Sequence, residues 1–213
     1  MSCCTTSGTN KFFTHQAKRY AKKYRRKGLD PAQKILERFL RELDVRSRSI
    51  IEIGCGVGGL HHQLLKHGAT SAVGVDVSVG MLEQAEILAK EQGLAGRVRY
   101  VQGDFTLSDG ELFPADIVIL DKVVCCSADP AVLLQASVAK CRTYLAVSYP
   151  CAGLMARIIF TSGAKLGEWL RWSFHPYYHR PSTIEGIINE YGFREIRSAT
   201  TLVWQVKVYG GEE

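Results

Sequence analysis

Four carboxylates and a run of glycines are the residues of this chain best spaced for chemistry. Glu52 precedes Gly54, Gly56, Gly58 and Gly59 in IIEIGCGVGGLHH; Asp76 lies in GVDVS, Asp104 in QGDF and Asp121 in ADIVILDKVV. Glycines that follow an apolar run let the backbone approach a ligand, and a helix beginning there aims its N–H groups at it. Gly54, Gly56 and Gly59 satisfy G-x-G-x-x-G, the dinucleotide pattern, which is weak evidence by itself. That pattern asks for no acid at Glu52. Asp76 closes a second apolar run, where a carboxylate can accept both hydroxyls of a ribose. Asp104 can accept from an adenine amino group, with Phe105 stacking on or bordering the ring.

Candidates for the reaction itself are fewer. Asp121 ends a fourth apolar run and suits a base or a carboxylate that shapes a pocket. His175, in SFHPYYHRP, is a base candidate because imidazole titrates near neutrality. Cys125 and Cys126 are adjacent thiols that suit a soft metal or metalloid, or simple burial, and no C-x-x-C spacing accompanies them. The histidines and tyrosines of the HPYYHRP link suit either a substrate pocket or a solvated surface.

The elements that must position these groups follow from periodicity. Residues 1–10 are polar and predict no fixed structure. A helix is expected over 11–27, with Phe13, Ala17, Tyr20 and Tyr24 on one face. Gly28 stops it, and Asp30-Pro31 restarts a second helix whose apolar stripe is Ile35, Leu36, Phe39, Leu40 and Leu43. Short apolar runs at 49–53, 71–76, 98–102, 116–121 and 143–149 then alternate with helical stretches at 59–67, 79–92 and 130–140. Nearly all-apolar strands are those covered on both faces. The alternation predicts a doubly wound α/β fold with a mostly parallel sheet. A helix over 152–172, another over 182–191 and two final strands, REIRSAT and LVWQVKVY, complete seven strands with an antiparallel edge.

Composition narrows the class. At 213 residues and 46% hydrophobic, the chain can bury one sizeable core. No run of about 18 apolar residues exists, so no transmembrane segment is expected. The first residues lack a secretory h-region, and the cysteine usage points to a reducing, cytoplasmic home. Residues 1–30 carry eight bases and one acid, or +7, so residues 31–213 carry −1 of the net +6. That basic segment suits RNA phosphate, an anionic surface, or a lid whose aromatic face is buried and whose charges are solvated; the lid is favoured.

EIGCGVG, GVDVS, QGDF and ADIVILDKVV, in this order and spacing over roughly residues 48–150, resemble the motifs of class I S-adenosylmethionine-dependent methyltransferases. The resemblance implies a seven-stranded Rossmann-like sheet and a cofactor site made by Glu52, Gly54, Cys55, Gly56, Gly58, Asp76, Val77, Asp104 and Phe105. Glu52 and the glycine turn would hold the methionine end, Asp76 the ribose and Asp104 the adenine. Tyr20 and Tyr24 would add contacts from a lid of residues 1–30 over a domain of 31–213. YRRKG, EIGCGVG and ADIVILD also resemble magnesium-protoporphyrin methyltransferases, although LDKVVCC replaces their His-Tyr ending. The N/D-P-P-Y/F signature of base-amino methylation is absent. The resulting expectation is in-line methyl transfer to an O, N or S atom of a small molecule. RNA or protein methylation, cyclase or lyase chemistry on the same cofactor, and an NAD(P) oxidoreductase are the alternatives.

Overall fold

A computed structural model describes residues 6–107, 112–169, 174 and 176–211. Two helices lead, α1 (Thr6–Lys27) and α2 (Pro31–Glu42). Asp30 caps α2: its carboxylate accepts from the Ala32 and Gln33 N–H groups, and the Gln33 side chain accepts from Asp30 N–H. This reciprocal box satisfies donors that the first turn leaves without partners. The alternating region follows as β1 (Ser49–Ile53), α3 (Gly59–Lys66), β2 (Ser71–Asp76), α4 (Val79–Glu91), β3 (Val98–Gln102), β4 (Ala115–Asp121), α5 (Pro130–Ala139) and β5 (Cys141–Pro150). The chain finishes with α6 (Leu154–Trp169), α7 (Pro181–Glu190), β6 (Phe193–Thr200) and β7 (Trp204–Gly211).

The seven strands lie in the order β3-β2-β1-β4-β5-β7-β6. Strands β1 to β5 are parallel, and β7 runs antiparallel to both β5 and β6. This is the mostly parallel sheet with an antiparallel edge that the motifs implied. Alternation along the strands divides the interior. Ile50, Ile117 and Ile119 face α2 and α3 in a cluster with Leu36, Leu40, Leu60 and Leu64. Ile51, Ile53, Val118 and Leu120 face α5 and α7 with Leu133, Leu134, Ile184 and Ile188. Each such side chain, removed fully from water, contributes about 1.5–3 kcal/mol. The strand order reverses between β1 and β4, which opens a crevice at their carboxyl ends where ligands bind in such sheets.

Helix α1 begins five residues earlier than periodicity predicted. Its polar first turns have partners on α4: Asn10 accepts from Val79 N–H, Thr14 Oγ1 accepts from Gly80 N–H, and Thr14 lies 2.9 Å from Ser78 Oγ. The buried stripe also differs. Ala17 and Ala21 are the buried positions, packed on Val57, Met81 and Leu88, while Tyr20 is 42% exposed. Alanine wins these positions because α1 lies close along α4.

Candidate active site

The carboxyl ends of β1, β2 and β4 and the loop after β3 bring the spaced carboxylates to one cavity of about 660 Å³. Glu52, Gly54, Cys55, Gly56, Asp76, Val77, Asp104 and Phe105 all border it, as do Tyr20 and Tyr24 from α1 and Asp121 from β4. Gly58 lies in the same turn, at φ +78, as the residue before α3. His175 lies outside the described residues.

The turn after β1 needs glycine for two separate reasons. Gly54 and Gly56 have φ near +60, a region that costs L residues energy. A Cβ on Gly59 would lie 2.8 Å from the Tyr24 ring, so this glycine lets α1 close on the start of α3. Tyr24 Oη donates to Gly59 O at 3.3 Å and accepts from Gln63 Nε2 at 2.8 Å. Asp76 lies beneath the turn, its two oxygens accepting from Gly56 N–H and Ser78 N–H, both at 2.8 Å. Burial pushes its pKa up, and those two N–H groups work against the shift. Asp104 accepts from the N–H and hydroxyl of Thr106.

Glu52 points into a buried chain of polar groups. Its Oε2 accepts from His61 N–H at 3.2 Å and lies 2.5 Å from His61 Nδ1. Tyr100 Oη continues the chain, 3.3 Å from His61 Nε2 and 2.6 Å from His62 Nε2. Burial raises the Glu52 pKa well above the carboxylate range, with the Asp121 charge adding to it. Burial lowers His61 to about 3 and His62 to about 2, so both imidazoles are neutral. Sequence reasoning missed this chain. The available signal was the HH pair beside Leu60, Leu64 and Leu65, on the inner side of a short helix.

The other half of the cavity is built around Lys122. Its backbone is in the left-handed region at φ +59, held where its N–H donates to Ser148. Its ammonium pairs with Asp30, lies 3.5 Å from Asp121 and sits 5.5 Å from the centre of the Trp204 ring. Burial works to lower the Lys122 pKa, and the Asp121 and Asp30 charges outweigh it, leaving the pKa raised. Asp121 also accepts from Ser148 Oγ at 2.5 Å and from Gln33 Nε2 at 3.0 Å. Phe160 meets Trp204 edge-on at 5.5 Å, and Phe174 closes another wall. The sequence marks Asp30 only as a helix cap and does not single out Gln33. Cys125 and Cys126 both donate to Lys122 O, at 3.2 and 3.5 Å, on the floor of this half.

The residues of the first half fit S-adenosylmethionine. The space above Gly56 is open, with no atom within 4 Å of where a Cβ would stand. Beside it lie the Asp76 carboxylate, for hydroxyl donors, and Asp104 with Phe105, for an amino-bearing ring.

Comparison with known proteins agrees with this geometry. A family model described as a methyltransferase domain matches residues 45–177. The ribosomal protein L11 methyltransferase of Haemophilus influenzae is 34% identical over 92 residues, or 43% of this chain; the match spans 30% of that relative's length. Among solved structures, magnesium protoporphyrin IX methyltransferase from Synechocystis, with SAH bound, superposes with a TM-score of 0.69. It is 18% identical, and the superposition covers 85% of this chain and 82% of that one. An O-methyltransferase family protein from Burkholderia thailandensis also gives 0.69, at 16% identity, covering 85% of this chain and 55% of that one. With most of its strands and its whole glycine turn inside the matched region, the chain belongs to the methyltransferase domain family, the S-adenosylmethionine-dependent class that its spaced motifs resemble.

Proposed function

We propose that this chain methylates an oxygen atom of a small molecule bound between Lys122 and the aromatic wall of Trp204, Phe160 and Phe174. Glu52, Gly54, Gly56, Asp76, Val77, Asp104 and Phe105 are the residues we assign to the cofactor, with Tyr20 and Tyr24 closing over it from a lid of residues 1–30. Bound S-adenosylmethionine supplies a methyl group already activated on a sulfonium. The protein's task is then alignment, since orientation of the reacting atoms supplies several kcal/mol. Lys122 keeps its proton between two carboxylates and does not act as a base; it pairs with an acceptor oxygen that arrives already deprotonated, so the transfer leaves the methylated oxygen and S-adenosylhomocysteine with no proton to remove. Asp121, whose oxygens already face Ser148, Gln33 and Lys122, orients that ammonium.

The observation that carries this reading is the roofed cavity in which the cofactor carboxylates and Lys122 share one space beneath α1. A flat aromatic acceptor suits it better than a folded RNA or a protein surface. The test supplies methyl-labelled S-adenosylmethionine to the protein with an extract of its source, divided by dialysis. Label is expected in a small product, resolved from unreacted donor by chromatography, of the dialysable or solvent-extracted fraction, with loss of that transfer in Lys122→Met. Label confined to retained protein or RNA would overturn the small-molecule assignment.

A further inference from the structure

Helix α6 turns four large apolar side chains to solvent. Ala156, Phe160 and Gly167 are buried, and Gly163 falls on the same side by helical spacing. Leu154, Met155, Ile158 and Ile159 are 50–71% exposed. The pairs 154/158 and 155/159 are each one turn apart, so the four form a continuous apolar face. Exposed Arg157 and Lys165 flank it. A helix that served only to cover a core would present the opposite pattern. An exposed apolar face of this kind marks an interaction surface. No described helix is long and apolar enough to cross a membrane, and a sixteen-residue amphipathic helix suits lying in an interface.

Charge selects the occupant. Helix α1 carries eight exposed bases and no acid, and among the described residues only Arg25 of the eight has an ion-pair partner, Glu91 of α4. Both helices border the same cavity, α1 through Phe13, Tyr20 and Tyr24 and α6 through Phe160. Phe12 and Phe13 meet Phe174 at 5.0–5.3 Å, which ties α1 to the link leaving α6. An apolar helix and a cationic helix around one cavity match acyl chains beneath anionic headgroups. A second copy would bring another cationic α1 to the same face, and RNA would leave the apolar face in water.

We propose that α6 and α1 seat this protein on an anionic lipid surface, with the cavity between them. The arrangement suits an amphipathic acceptor taken from the bilayer, a point that rests on the methyl-transfer reading; the docking itself does not.

Flotation of the full chain with vesicles of phosphatidylcholine alone, or mixed with phosphatidylglycerol, tests this. Recovery with the anionic vesicles is expected, falling as salt is raised, with little recovery on phosphatidylcholine alone. The double variant Ile158→Glu/Ile159→Glu should lower the vesicle-bound fraction by about tenfold or more. Lys18→Glu/Lys22→Glu, on the other helix, should lower it as well. S-adenosylhomocysteine binding by calorimetry should remain at the wild-type value in the α6 variant, and circular dichroism and the melting temperature at the wild-type values in the α1 variant, which establishes their fold. Failure of the wild type to float with anionic vesicles overturns the proposal, as does undiminished flotation of the α6 variant. A dimer in sedimentation velocity that the α6 variant abolishes would assign the face to a second copy, and also overturns it. Loss of cofactor binding in the wild type would count against the reaction and leave the docking result standing.

Discussion

Asp76 is held by two backbone N–H groups at 2.8 Å, and its carboxylate borders the cavity. Asp76→Asn keeps the shape and removes the charge, so S-adenosylhomocysteine affinity should fall by about 1–3 kcal/mol in calorimetry. Unchanged affinity would remove Asp76 from the proposed site. His62 makes a separate prediction, about stability. Its folded pKa of about 2 lies below the ordinary 6.5, so below pH 6.5 the unfolded chain binds a proton that the folded chain refuses. Stability is therefore lost as pH falls from 6.5 toward 2, and between pH 7 and 5 this one group accounts for about 2 kcal/mol. His62→Gln, which retains a polar reach toward Tyr100, should show an acid loss smaller by that amount in urea titrations. Equal losses in both proteins would mean that His62 is solvated or charged in the fold. The carboxylates that border the cavity were legible in the sequence because each sits at a fixed offset from a strand end. The Glu52–His61–Tyr100–His62 chain was not, because Tyr100 reaches the histidines from a strand two places across the sheet. Lys122 was visible as a letter, but its partner Asp30 is 92 positions away.

Elements were read from periodicity and from signals such as Gly28 and Asp30-Pro31, and the ones that depend on a single apolar face came out within a few residues. The exception was α1, whose added residues Thr6–Asn10 carry no apolar signal; Asn10 instead accepts from Val79 N–H of α4. Gly80 is the point of contact. A Cβ there would lie 2.8 Å from Thr14 Cγ2 and 3.0 Å from Thr14 Cα, which is backbone and cannot swing aside. Helix propensity alone would make Gly80→Ala stabilising, by up to about 1 kcal/mol. The clash predicts the opposite sign: a lower melting temperature, and faster trypsin cleavage within Lys18–Lys27 as α1 lifts. A variant that melts higher, with cleavage unchanged, would show that α1 does not lie this close.

At the scale of the whole molecule, the strand reversal between β1 and β4 gathers groups from the length of the chain into one space, from Phe13 on α1 to Trp204 on β7. The sequence motifs described only the half of that space made by consecutive βα turns. Its aromatic half comes from α6, the link after it and the antiparallel edge, where no local pattern says that Phe160, Phe174 and Trp204 converge. The two halves should nevertheless answer together when the cofactor site fills. Ligand at one hundred times its dissociation constant adds about 2.7 kcal/mol to folding stability, provided that the unfolded chain does not bind it. If α1 is a lid and not merely an appended helix, part of that energy must reach its backbone. Hydrogen exchange with saturating S-adenosylhomocysteine should therefore slow in α1 around Tyr20 and Tyr24, as well as in the Gly54–Gly59 turn and after β2. Protection confined to the turn and β2 would leave α1 outside the cofactor site and reduce its role to packing on α4. Protection of all three segments, lost from α1 alone in Gly80→Ala, would tie the close approach at Thr14 to the closing of the cavity.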